Sequence, residues 1–102
     1  MSTVYSVYIL TNSSNTTFYI GVTNNLERRL HEHKYGVIEG FTKRYKLKKL
    51  VYFEDFYYID QAITREKQLK NWHRGWKINL IRQHNPTMSS LDANCHHETS
   101  SG

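Results

Sequence analysis

Tyr8 and Tyr19 stand eleven positions apart, each inside a short apolar run, and Gly21 follows the second closely. An arginine pair, Arg28 and Arg29, comes next on a helix-patterned stretch, and Glu66 lies within a second one. Together, a phenol, a guanidinium and a half-hidden carboxylate suit the cutting of a phosphodiester. A tyrosine hydroxyl can take a proton from water when nearby cations lower its pKa from the ordinary value of about 10. The planar guanidinium fork matches the non-bridging oxygens of a phosphate. A carboxylate can hold a hard divalent cation.

The helical period of about 100° per residue sorts these groups by face. With Leu26 at zero, Leu30 falls at about 40° and His33 at about 340°, roughly one apolar stripe. Arg29, at about 300°, flanks that stripe. Arg28, at about 200°, points to solvent and is left to touch a more distant phosphate. His33 follows Arg29 by one turn on almost the same face. A lone histidine there is more often a core residue than a catalyst. With Ile59 at zero, Ile63 falls at about 40°, Ala62 at about 300° and Leu69 at about 280°. Glu66, at about 340°, then lies in the middle of the apolar face. A carboxylate seldom sits there unless it is paired or holds a metal. An ion pair with Arg29 or Lys70, escape at the sheet edge, and a functional role all fit this position.

The elements that must position these groups read in the order β-β-α-β-α-α. Val4 to Leu10 and Thr17 to Val22 are runs of β-formers joined by the turn cluster Asn12-Ser13-Ser14-Asn15, which predicts an antiparallel hairpin. Gly21 inside the second strand marks a bulge or a close approach of another group. Thr23 or Asn24 caps a helix over about 25–35 that stops near Gly36. After a polar loop, Leu50 to Phe53 make a third strand. A second helix spans about 61–73, with Asp60 as its cap and Ile59 stapled onto its first turn. Beyond Gly75 a last helix runs over about 76–84, with Trp76 and Leu80 on one face. The expected class is α+β, a small, largely antiparallel three-stranded sheet with helices packed on it.

Composition agrees with one small domain of 102 residues and a modest core. No segment approaches the ~20 apolar residues that cross a bilayer. The first residues lack a secretory pattern, and one cysteine, Cys95, permits no internal disulfide. These features predict a soluble cytoplasmic protein without membrane contact. The net charge of +5 comes entirely from cations between Arg28 and Arg82 and favours a phosphate-rich partner. In the loop, Lys43 and Arg44 alternate with Phe41 and Tyr45, a mixture that suits unpaired strands or junctions, though a solvated basic loop fits as well. Residues 1–85 read as the domain and 86–102 as a disordered tail. Cys95, His96 and His97 in that tail have no further ligand cluster nearby, so a solvated tail is the simpler reading.

The chain resembles the GIY-YIG nuclease family. Ser6-Val7-Tyr8 stands for the first half of that name and Tyr19-Ile20-Gly21 for the second. Supporting blocks are Val22 to Leu30, Leu50 to Glu54 and Arg65 to Lys70, in the right order. The wider stretch resembles the small stand-alone members, which are similar to the amino-terminal nuclease domain of a bacterial excision-repair enzyme. The resemblance implies catalytic roles for Tyr8, Tyr19, Arg29, His33 and Glu66, with Gly21 structural and Glu66 the ligand of Mg²⁺ or Mn²⁺. It implies nucleic-acid contacts at Arg28, Lys43, Arg44, Lys67 and Lys70, with DNA rather than RNA as substrate, a role in repair or recombination, and a protein partner for targeting. The first glycine of the name is Ser6 here, and no lysine follows the second motif. The competing reading is a non-catalytic nucleic-acid-binding module of the same fold.

Overall fold

The computed structural model describes residues 4–35 and 44–91. Three strands form one antiparallel sheet: β1 (Tyr5–Thr11) lies at the centre, between β2 (Phe18–Thr23) and β3 (Lys49–Phe56). Helix α1 (Leu26–Lys34) follows the hairpin, and α2 (Ile59–Asn71) and α3 (Arg74–His84) follow β3. This is the α+β order expected from the sequence.

β1 lacks polar alternation because both of its faces are covered. Val7 and Ile9 point into one core with Ile20, Ala62, Leu69 and Ile81. Tyr8 and Leu10 point the other way, with Leu26, Leu47 and Leu50. A bulge between Ile9 and Leu10 against β3 lets Ile9 pair with Tyr52 and Leu10 with Leu50. The extra residue, Val51, turns into the same core as its neighbour Tyr52. Helix α2 therefore belongs to one face of the sheet and α1 to the other.

Several expectations about helix ends and faces need correction. The cap of α1 is Asn25, whose side chain accepts from the Arg28 N–H, rather than Thr23 or Asn24; Thr23 Oγ1 instead accepts from the Asn25 N–H. Asp60 lies inside the first turn of α2, after Tyr58 at the cap. Ile59 and Ile63 are exposed, because the buried stripe of α2 centres on Ala62 and Leu69. That is about 70–110° round from the two isoleucines, so Glu66 falls at the margin of the stripe and not in its middle. Gly75 lies within the first turn of α3, and Trp76 beside it is mostly exposed, packed edge-on against Trp72 and His73.

The chain stays packed beyond residue 85, where the tail was expected to begin. Asn85 Nδ2 donates to the carbonyls of Val51 and Ser89, Met88 is buried, and the Leu91 N–H donates to the Leu50 carbonyl at 2.7 Å. The remainder of the expected tail, with Cys95, His96 and His97, lies outside the described residues. Lys43 and Phe41 of the basic loop do so as well. No helix among the described residues is long and apolar enough to cross a membrane.

Candidate active site

The hairpin places the two tyrosines on one face. Tyr8 lies directly opposite Gly21, and Tyr19 opposite Leu10, so the phenols are diagonal neighbours. Their ring centroids are 6.2 Å apart. Gly21 is needed for close approach, and the hairpin carries no bulge at that point. A Cβ there would lie 2.6 Å from Tyr8 Oη, 2.7 Å from Tyr8 Cζ and 3.0 Å from Tyr19 Cε2.

Helix α1 closes over this face. The Asn25 cap and Glu27 in the first turn complement the exposed N–H groups and the positive end of the helix dipole. Leu26 and Leu30 pack into the core beneath, which brings His33 and Arg29 to the tyrosines. His33 Nε2 lies 3.4 Å from Tyr8 Oη, a long hydrogen bond. Its ring sits 6.0 Å from that of Tyr8 and 5.9 Å from that of Tyr19, completing a triangle of rings.

The electrostatics differ from expectation at one point. Tyr8 is not acidified by its cationic surroundings. Burial pushes its pKa well above the ordinary value, Tyr19 adds to that rise, Arg29 opposes it, and the charges of Glu66 and Glu32 raise it further. His33 moves the other way: burial and then Arg29 lower its pKa, against Glu32. Both shifts favour the uncharged forms, a neutral imidazole beside a protonated phenol, and the tautomer of His33 sets which of the two donates.

Two atoms in this cluster are conspicuous. Arg29 Nε and His33 Nδ1 are buried and have no hydrogen-bond partner. Buried polar groups are nearly always satisfied, so two orphans one turn apart on α1 call for an outside partner such as water or a phosphate. One terminal nitrogen of Arg29 lies 3.7 Å from Glu32 Oε1. Glu32 was missed in the sequence. Its spacing of three and four residues from Arg29 and Arg28 is the signal that reveals it.

Glu66 stands on α2, whose buried residues pack on the other face of the sheet, and its charge is a lesser cause of the raised Tyr8 pKa, after burial, Tyr19 and Arg29. Of the two ion-pair partners the wheel allowed, the structure selects Lys70, with Nζ 3.0 Å from Glu66 Oε2. The Glu66 side chain is 20% exposed and that of Lys70 is 50% exposed, so the lysine can swing away and leave the carboxylate within reach of solvent. Among the described residues no three His, Cys, Asp or Glu side chains converge on one point. A single carboxylate does not make a zinc site. It does suit Mg²⁺ or Mn²⁺, since Mg²⁺ keeps several waters and takes one or two carboxylates plus substrate phosphates. The donor set thus fits the expected ion.

The nucleic-acid contacts expected from the sequence are scattered. Arg28 is exposed and reaches Glu32 at 4.0 Å, Arg44 lies exposed over the Tyr45 ring, and Lys67 is exposed on α2. On the opposite face, Arg65 donates to both carboxylate oxygens of Glu54 at 2.9 Å, and Tyr52 Oη donates to Glu54 as well. Burial pushes the Glu54 pKa up, but the bonds from Arg65 and Tyr52 outweigh it and hold the carboxyl below its usual range. This trio clamps α2 to β3 and has no part in the tyrosine cluster.

The family description "GIY-YIG catalytic domain" matches residues 4–79. The chain belongs to the GIY-YIG family. Both motifs of the name thus fall on adjacent strands, with their tyrosines on the face that α1 covers. Among its relatives, a UPF0213 protein of Syntrophus aciditrophicus is 41% identical over 80 residues, which cover 76% of this chain and 88% of that one. A UPF0213 protein of Clostridium perfringens is 40% identical over 75 residues, covering 74% and 80%. The solution NMR structure of a UPF0213 protein from Bacillus halodurans superposes with a TM-score of 0.53 at 26% identity, covering 80% of this chain and 86% of that one.

Proposed function

We propose that this chain is an endonuclease that hydrolyses phosphodiester bonds in DNA with the help of one divalent ion. The observation that carries this reading is the pair of buried, unpartnered nitrogens on Arg29 and His33 beside two phenols. Membership of the GIY-YIG family supports it.

Arg29 binds a non-bridging oxygen of the scissile phosphate through its unpaired Nε and its guanidinium edge. Tyr19 and Tyr8 orient the attacking water. As the water oxygen bonds to phosphorus, its proton passes to Tyr8 Oη while the Tyr8 proton moves to His33 Nε2. The raised tyrosine and lowered histidine pKa values make this relay the better use of the two groups than a standing phenolate. The bond to the 3′ oxygen breaks, that oxygen takes up a proton from solvent, and the products are a 5′-phosphate and a 3′-hydroxyl. Glu66 would hold Mg²⁺ or Mn²⁺, which supplies Lewis-acid stabilisation of the leaving oxygen and of the charge at phosphorus. The cellular role we infer is DNA repair or recombination in the cytoplasm, with a protein partner directing the domain to its target.

One observation favours a second reading, a binding module without catalysis: Lys70 already neutralises Glu66. The purified chain assayed on nicked, flapped and branched DNA, with Mg²⁺, Mn²⁺ or EDTA, separates the two. Glu66→Ala should lower cleavage by about 10²–10³ while preserving the fold. Equal rates for Glu66→Ala and the native chain in Mg²⁺ would end the catalytic reading, and binding without metal-dependent cutting would select the module.

A further inference from the structure

Away from the tyrosine cluster, at the end of β1, lies an open hollow of about 500 Å³. Asn12 and Ser13 of the hairpin turn line it on one side and Tyr45, Lys46, Lys48 and Lys49 on the other. No carboxylate contributes to the wall, and among the described residues none of the three lysines has an acidic partner.

The lysines are held there by the backbone. Leu47, fully buried in the core beneath Leu50, anchors the segment and leaves Lys46 and Lys48 on either side of it exposed. Lys46 adopts a left-handed backbone, φ 57°, with the Lys48 N–H donating back to the Lys46 carbonyl at 3.1 Å. A non-glycine residue seldom adopts such a conformation, and strain of this kind concentrates at functional sites. The facing wall is rigid too: Asn12 Oδ1 accepts from the N–H groups of Thr16 and Thr17. Three unneutralised ammonium groups around one concavity favour an anion.

We infer that this hollow is a second phosphate subsite, which grips the backbone of a DNA strand a few nucleotides from the bond that is cut. The identity of the strand rests on the nuclease reading; the anion site does not. Thr11, at the rim, is three residues along β1 from Tyr8, or about 10 Å at strand spacing. That corresponds to about three nucleotides of axial rise in a duplex strand.

The test measures binding of a labelled single-stranded oligodeoxynucleotide in EDTA across a range of NaCl concentrations. The variant Lys46→Gln/Lys48→Gln/Lys49→Gln should lose about 2 from the slope of log affinity against log salt, at about 0.7 per phosphate contact. The single variant Lys48→Gln should lose about 0.7 and serves if the triple variant is unstable. Lys77→Gln/Arg82→Gln, on α3, removes charge elsewhere and should leave the slope near native. On cleavable DNA, the triple variant should raise KM with kcat unchanged. An unchanged slope overturns the proposal, and so does an equal loss per charge in the α3 control. Saturation of the hollow by inorganic phosphate, followed by NMR, with no effect of the lysine variants on DNA binding would make it a small-anion site and overturn it as well. A native chain that cuts nothing, yet loses slope on lysine replacement, keeps this subsite and rejects the nuclease reading.

Discussion

Gly21→Ala is the sharpest perturbation of the site, because its cost can be worked from distances. The new methyl would meet Tyr8 Oη at 2.6 Å and Tyr8 Cζ at 2.7 Å. Ordinary contact begins near 3.4 Å, so the phenol must retreat by about 0.8 Å. It has no free space to enter: Tyr8 is 2% exposed, between Gly21 and Phe53 on the neighbouring strands and against Leu26. Overpacking of this kind costs about 1–3 kcal/mol. For a domain of this size that lowers Tm by roughly 5–20 °C. The same retreat moves Oη relative to His33 Nε2, and a misplacement of about 1 Å can cost on the order of 10² in rate. Thermal unfolding followed by circular dichroism reads the first effect and cleavage at saturating DNA the second. Tyr8→Leu supplies the internal control. With the phenol gone, Gly21→Ala should cost at least about 1 kcal/mol less, a coupling typical of residues in contact. Tyr8→Phe should give little relief, since Cζ remains at 2.7 Å. A Gly21→Ala chain with native Tm and native rate would refute the close-approach argument. So would strict additivity with Tyr8→Leu.

Lys70→Ala removes the cation that competes for Glu66, and Mg²⁺ affinity measured by NMR titration should rise by up to about fivefold, the scale of a half-exposed ion pair; weaker affinity would contradict the competition. His33 has a lowered pKa, so the unfolded chain binds its proton more readily than the folded one. Stability contributed by the neutral ring is therefore present above about pH 6.5 and declines as pH falls from there toward the folded value. The acid limb of the cleavage profile should accordingly lie below about 6.5, and His33→Asn should flatten the stability profile; an acid limb at or above 6.5 would remove His33 as the acceptor. Glu54→Gln strips the charged partner from Arg65 and Tyr52 and should cost about 1–3 kcal/mol in urea unfolding with kcat unchanged. A loss of kcat with intact stability would place that trio in the reaction.

The one-dimensional pattern determined the order of the elements, the burial of β1 on both sides and the division between Arg29 and Arg28. These follow from periodicity and from uninterrupted β-formers, both local properties. The requirement for glycine at position 21 was legible too, although only the register shows that Tyr8 is what crosses it. Other features depended on which surfaces met. The wheel of α2 took Ile59 and Ile63 as inward, but the sheet accepts the Ala62–Leu69 edge, which turns Glu66 to the margin and gives it to Lys70. Residues 86–91 carry no helical or strand period, yet Met88 and Leu91 pack because a core was open to receive them. The tyrosine expected to be acidified is instead made less acidic, since enclosure under α1 outweighs the arginine beside it. Spacing along a chain says which side chains can share a face. How deeply that face is enclosed, and which charge answers which, is decided by contacts between segments far apart in sequence, and those exist only once the chain has folded.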